Sequence, residues 1–371
     1  MAELLRAVKH YLKHVDYILL GLALASTAYG MVLIYSATRS AGTNRYVLIQ
    51  GAALAIGLVA FVLCSLIDMD HVSTLWKWVY VLNLLMVASL AIFGVGDNTG
   101  NRSWIRFLGI GIQPAEVGKL FFIFTLATHI RLLGDKLSQI RSVIQVAVHI
   151  LLISAAVYLF SDDLGMVLAY LFIGAAMVFA AGIKLRWFGL AFFGLFALAP
   201  TLWSHLSTGQ KNRILVVFDP SIDPTKAWHA EQSKIALGAG QLTGQGYLQG
   251  RQVQYSQLPA KHTDFIFSVA GEEFGFLGCL LILILLTLLI FRVFYVAFRA
   301  DEPLPALICT GVGSMLLFQS IINIGMCVGL TPVIGLTLPF FSYGGSSLVT
   351  MYACIGIVSG IRMREKPSWL Q

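Results

Sequence analysis

Few ionisable side chains interrupt the apolar runs of this sequence, and those few could carry chemistry. Glu116 and Lys119 lie three residues apart inside one run, on one face of a helix. Charges are expensive in lipid. The pair is therefore either an ion pair that locks its helix or the charged wall of a substrate cleft. Asp264 stands where a polar loop turns into an apolar run, in Lys261-His262-Thr263-Asp264-Phe265-Ile266. A Thr-Asp pair there suits a helix N-cap. It also suits a general base at the membrane face. Glu272 and Glu273 follow deeper; being adjacent, they point to different faces, so at most one shares the cavity of Asp264.

Other polar clusters have two readings each. Asp162-Asp163 could end a tight hairpin or hold a divalent cation with further oxygens. Gly238, Gly240, Gly244, Gly246 and Gly250 could offer backbone N–H groups to a phosphate, or simply let a loop fold tightly. Asp68-Met69-Asp70 has a metal-binding spacing but reads as a solvated turn. His262 is the histidine in a suggestive place, and no metal-ligand spacing occurs. The five cysteines sit in apolar runs without a CxxC pair, as small core hydrophobes rather than a disulfide framework.

The elements that must position these groups are apolar and long. Ten runs are candidates to cross a membrane: 15–36, 46–67, 75–93, 115–130, 143–160, 164–183, 187–206, 265–291, 304–329 and 345–361. Only Ser161-Asp162-Asp163 separates the fifth from the sixth. The fourth starts at Pro114. The expected fold is an all-α polytopic membrane protein, a single domain over 1–371. No internal repeat or heptad pattern is visible.

Composition agrees. Of 371 residues, 58% are hydrophobic and 12% charged, and mean hydropathy is +0.81. Soluble domains carry roughly 25% charged residues. That excludes a soluble cytosolic enzyme, a nucleic-acid module and a disordered chain. The net charge of +7 sets orientation rather than binding nucleic acid. Lys and Arg crowd the connections on the N-terminal side, while the short connections opposite hold Arg39, Arg45, Arg102 and Arg106. Both termini are thus expected in the cytoplasm. The first run, Val15–Ser36, is too long for the apolar core of a cleaved signal peptide.

One outer loop, 207–263, is 57 residues long, and loops of that length are usually functional. It is net positive by three, suiting an anionic partner. Within it, Trp228–Leu237 predicts an amphipathic helix lying at the membrane surface.

At Asn323–Ser347 a specific pattern emerges: Asn323, Gly329-Leu330-Thr331-Pro332, Gly335-Leu336, Pro339 and Ser342-Tyr343-Gly344-Gly345-Ser346-Ser347. It resembles the signature of the SEDS family (RodA, FtsW, SpoVE) of bacterial cell-wall synthesis. Gln113-Pro114-Ala115-Glu116 with Lys119, Gln232-Ser233-Lys234-Ile235-Ala236, and His262-Thr263-Asp264-Phe265 with Glu272-Glu273 extend the likeness over most of the chain. Asp219-Pro220 and Asp223-Pro224 look more like the RodA branch than the FtsW branch. There are two departures. The family's QPDLGT reads Ser161-Asp162-Asp163-Leu164-Gly165-Met166 here, and its LPE reads Leu258-Pro259-Ala260.

The resemblance implies ten spans in the bacterial cytoplasmic membrane and a glycosyltransferase that polymerises Lipid II for cell elongation and shape or for division. It implies Asp264 as the catalytic residue. It also implies a class B penicillin-binding protein as partner, and a divalent cation (Mg2+ or Mn2+), for which Asp163 is the candidate ligand. Glu116, Lys119, Lys234, Ser342 and Tyr343 are its candidate substrate contacts. The chemistry is physically reasonable. A sugar hydroxyl needs a base, and a leaving lipid pyrophosphate needs cations, for which Arg45, Arg102, Arg106 and Arg213 are outer-side candidates. A single displacement inverts the anomeric centre and gives a β-1,4 linkage. A lipid-precursor flippase is the alternative, since transporters also carry intramembrane charges. A scaffold that only recruits a transpeptidase is a third reading.

Overall fold

The computed structural model describes residues 11–40, 42–96, 102–107 and 110–364. Among them, ten apolar helices occupy the ten expected runs. They are α1 (Tyr17–Arg39), α2 (Arg45–Leu66), α3 (Trp76–Phe93), α4 (Pro114–Leu133), α5 (Ile140–Ser161), α6 (Leu164–Ala180), α7 (Arg186–His205), α8 (Ile266–Arg299), α9 (Pro303–Val328) and α10 (Gly345–Met363). All but α6, of 17 residues, are long enough to cross a membrane outright. A two-stranded antiparallel hairpin, β1 (Ile105–Phe107) and β2 (Ile110–Ile112), precedes α4. Three-residue strands are too short to show a period, so the apolar pattern does not reveal them.

The α5–α6 hairpin turns as tightly as expected. Asp162 takes the left-handed conformation (φ 53°), and the Asp163 carboxylate caps α6 by accepting from Met166 N (3.1 Å). At the other end of the bundle, Asp16 is fully buried. It accepts from Arg292 Nε (3.0 Å) and Arg362 Nη1 (2.8 Å), tying the start of α1 to α8 and α10. Asp68 caps the short helix Met69–Ser73 and Asp70 pairs with Arg131, as a solvated turn would.

Helix α8 runs on to Arg299, past the expected 291, and breaks at Gly275 (φ 67°, ψ −160°). A helix broken this way leaves carbonyls and N–H groups without partners, which cannot stand in lipid. The glycine-rich loop supplies them. Gln245 N and Gly246 N donate to the carbonyls of Glu272 and Glu273 (2.8 and 3.1 Å). Phe276 N and Leu277 N donate to those of Gln241 and Leu242 (2.8 and 3.2 Å). These glycines are therefore a plug for a broken helix, and the Gln245 and Gly246 donors are not available to a phosphate.

The rest of loop 207–263 is also built against the bundle. It forms helices Thr208–Leu215, Pro224–Gly240 and Arg251–Gln254. The middle one is longer than the expected Trp228–Leu237 and is not simply a surface helix. Its face of Ser233, Ala236 and Gly240 is buried on α8 and α9. The Ser233 hydroxyl donates to the Cys327 carbonyl (2.7 Å) and meets Ser268 Oγ at 2.6 Å. Small residues let the backbones approach closely, as between membrane helices.

Candidate active site

Four segments meet at the end of the bundle opposite Asp16. They are the α5–α6 hairpin, the start of α4, the stretch His262–Phe265 before α8, and the irregular connection 331–344 between α9 and α10. The last contains most of the signature read from the sequence. It has no ladder of its own, so side chains from elsewhere hold it. Asn323, buried in α9, donates through Nδ2 to the carbonyls of both Leu336 (2.7 Å) and Asp264 (2.9 Å). Ser342 Oγ donates to the Thr263 carbonyl (2.6 Å) and accepts from Leu338 N (2.8 Å). Gln50, buried in α2, takes Gly344 N (3.2 Å) and gives Nε2 to the Ser342 carbonyl (3.1 Å). Tyr343 N donates to the His262 carbonyl (2.8 Å), and the rings of Tyr343, His262 and Tyr46 cluster within 4.9–5.5 Å.

This web fixes the main chain of Asp264 without drawing on its carboxylate. Helix α8 starts at Ile266 with Phe265 as N-cap and no side-chain cap, so the N-cap reading of Asp264 fails. Its Oδ2 lies 3.8 Å from where a Cβ on Gly335 would stand, and Gly335 is left-handed (φ 72°). Burial pushes the Asp264 carboxyl up to about 6. The charge of Asp163 adds to the rise, while a hydrogen bond from Thr263 and the Arg213 charge oppose it. Asp163 is likewise pushed to about 6, first by burial. The carboxylates flank the 334–336 loop: Gly165, beside Asp163, packs on the Ile334 carbonyl and Leu336. Replacing Gly335 by Ala forces a Cβ into a left-handed position, costing about 1–2 kcal/mol, and puts a methyl against the Asp264 carboxylate. Activity should fall on the order of tenfold to a hundredfold with the fold retained, as measured by turnover alongside circular dichroism. Unchanged turnover would show that the loop does not position Asp264.

The other expected site residues divide. Arg213, on the loop helix Thr208–Leu215, is near enough for its charge to act on both Asp163 and Asp264. Arg45, at the start of α2, acts likewise on Tyr343. Arg102 and Arg106 are exposed on the segment around β1. Lys234 lies along Gly329 at the end of α9, where a cation suits the helix dipole. Three expected substrate contacts need correction. Glu116 and Lys119 are 2% and 0% exposed and pair at 2.9 Å, with Gln319 Nε2 3.5 Å from Glu116. They are enclosed between helices, so they lock α4 rather than line a cleft. Ser342 is buried and has spent its donor on Thr263, so it shapes the site without reaching into it.

Glu272 is committed to the loop, and Glu273 to the loop and α1. Glu272 accepts from Gln252 N and Val253 N (2.7 and 2.9 Å), and Glu273 from Ser36 Oγ and Gln254 Nε2 (2.5 and 3.1 Å). The expected cation lacks a complete protein ligand set. Among the described residues no three His, Cys, Asp or Glu converge. Asp163 already accepts from Met166 N and from Gln113 Nε2 (3.3 Å). The positioning residues Gln50, Gln113 and Asn323 are polar groups in or beside apolar helices. Being uncharged, Gln50 and Asn323 do not stand out as sharply as Glu116 and Lys119 do, yet an amide within a span is itself a signal.

The fold and this site define a multi-pass helical membrane protein with a carboxylate at one end of its bundle that forms no ion pair among the described residues. Comparison with known proteins agrees. The chain matches the FtsW/RodA/SpoVE family, described as cell cycle protein, over residues 16–367, and it belongs to that family. It is 32% identical over 356 residues to the peptidoglycan glycosyltransferase MrdB of Escherichia coli (strain K12), covering 95% of both chains. It is also 32% identical over 362 residues to a probable peptidoglycan glycosyltransferase FtsW of Geobacter metallireducens, covering 95% of both. Among solved structures, a chain from a peptidoglycan synthase complex that coordinates polymerization and crosslinking superposes with TM-score 0.81 at 31% identity. That alignment covers 95% of this chain and 99% of the other. The Thermus thermophilus rod shape determining protein RodA gives 0.72 at 29% identity, covering 95% and 98%.

Proposed function

We propose that this protein is a peptidoglycan glycosyltransferase that polymerises Lipid II, with Asp264 as general base. The observation that carries the reading is the Asp264 carboxylate. Among the described residues it neither caps a helix nor forms an ion pair, yet its backbone is clamped by Asn323. In the reaction, Asp264 takes the proton of the acceptor sugar hydroxyl as that oxygen bonds to the donor's anomeric carbon. The bond from that carbon to the pyrophosphate oxygen breaks, and the electron pair leaves with the lipid pyrophosphate. The attack is in line, so the centre inverts and a β-1,4 linkage results. No second carboxylate is needed as nucleophile, unlike a retaining glycosidase. Arg213 and Arg45 are placed to meet the charge that develops on the phosphates.

The same reading puts both termini in the cytoplasm, the site at the outer face, and a class B penicillin-binding protein alongside. The similar chain solved within a peptidoglycan synthase complex supports such a partner. The test is to purify the protein with its cognate penicillin-binding protein, add Lipid II and resolve products on a polymer gel. Glycan ladders are expected. Their absence from a folded complex that flips lipid-linked precursor in liposomes would replace this reading with transport.

A base pushed up to about 6 is active only when ionised, so turnover should rise as pH passes about 6 and level off above it. Stability moves the other way. The folded carboxyls hold protons that the unfolded chain has already lost, so stability declines between pH about 4 and about 6. Asp163→Asn removes a charge that raises Asp264 and should move the acidic limb of the rate profile to lower pH. A limb that stays put in that variant would uncouple the two carboxylates.

A further inference from the structure

A cavity lies far from Asp264, at the basic end of the bundle. It encloses about 830 Å³ in the fork where α7 leaves its neighbours. One wall is the α4–α5 turn, with Asp135, Ser138, Gln139 and Ile140; the other is the start of α7, with Lys184, Arg186 and Trp187. Two hydrogen bonds hold the walls together. Lys184 N donates to Ser138 Oγ (3.2 Å), and Trp187 Nε1 donates to the Ser138 carbonyl (3.0 Å). Arg186 lies over the Trp187 ring, 5.3 Å from its centre. No ion pair to Lys184 or Arg186 forms among the described residues. Asp135 is the one acid in the lining, so the cavity is net positive.

Above this fork α7 has no buried residue along its 20-residue length, so its apolar flanks lie open rather than packed on the described residues. A cationic cavity that opens onto such a helix suits a molecule with an anionic head and an apolar tail. We infer that this cavity binds the phosphodiester headgroup of an anionic phospholipid, with Lys184 and Arg186 on the phosphate and the acyl chains along α7. Trp187 stands in the first turn of α7, and aromatic rings at the ends of spans suit a membrane border. Neither N-terminus that opens into the fork, of α5 or α7, carries a side-chain cap, which also favours negative charge. The site does not depend on the glycosyltransferase reading.

The test is native mass spectrometry of the full chain, equilibrated with phosphatidylglycerol or phosphatidylcholine. Each basic side chain near an anionic lipid surface is worth about fivefold in affinity. The Lys184→Gln/Arg186→Gln variant should therefore lose about 25-fold of the preference for phosphatidylglycerol. Both residues are exposed, so folding should be unaffected. Arg299→Gln, which removes an exposed cation at the same end but outside the cavity, should keep the preference. The inference is overturned if the double variant binds like wild type, or if Arg299→Gln loses as much. It is also overturned if millimolar inorganic phosphate displaces the lipid completely, which would make the cavity a site for a soluble anion.

Discussion

Asp264→Asn is expected to abolish glycan polymerisation while leaving the protein folded and able to hold its lipid-linked substrate. The substitution keeps the shape of the side chain and removes its capacity to take a proton. A positioned base contributes typically 10²–10⁴-fold, so the residual rate should fall to about 1% or below. The fold should not suffer, because no cap or ion pair depends on this carboxylate and Asn323 holds its main-chain carbonyl, which the variant keeps. Removing a carboxylate that burial already disfavours should leave the melting temperature unchanged or slightly raised. The measurement pairs ladder formation with thermal unfolding and a Lipid II binding assay. Ladders at more than a tenth of the wild-type rate would remove Asp264 as the base.

The second large effect is on stability. Glu116 and Lys119 are almost wholly enclosed, and each is the other's charged partner at 2.9 Å. Breaking a buried pair by removing one member leaves an uncompensated charge and costs about 3–5 kcal/mol. Glu116→Gln and Lys119→Met should each lose that much and lose activity with it, since α4 also carries Gln113 to Asp163. The double variant has no orphan charge and should recover most of the loss. Denaturant unfolding of the four proteins gives the coupling directly. Single losses that simply add in the double variant would show that the two charges do not act as a pair.

The pair shows how far residues alone could be read. Their spacing of three put both on one helix face, and that was visible in the sequence. Whether the face met lipid, a cleft or other helices depended on α9 bringing Gln319 alongside. Asp264 divides the same way. Its place at a loop-to-helix boundary was legible, but an N-cap and a free base look identical until the helix start is known. The glycine run was misleading for a related reason. Gly275 breaks α8 some thirty residues after the loop glycines, and only the folded chain shows that one repairs the other.

What the sequence by itself determined is the membrane class, the ten apolar helices and the tight α5–α6 turn. Each follows from local physics: hydropathy against bilayer thickness, and the conformational preferences of adjacent residues. It also carried the family signature, though not what those residues do. The tertiary structure decided which polar groups are spent and which remain available. Ser342, Glu272, Glu273 and the loop N–H groups are consumed by partners from 19 to 237 residues away, whereas the Asp264 carboxylate forms no ion pair among the described residues. Hydrogen bonds in a low-dielectric interior must be satisfied, and the partner that satisfies each one is set by packing between distant segments, which no local spacing encodes.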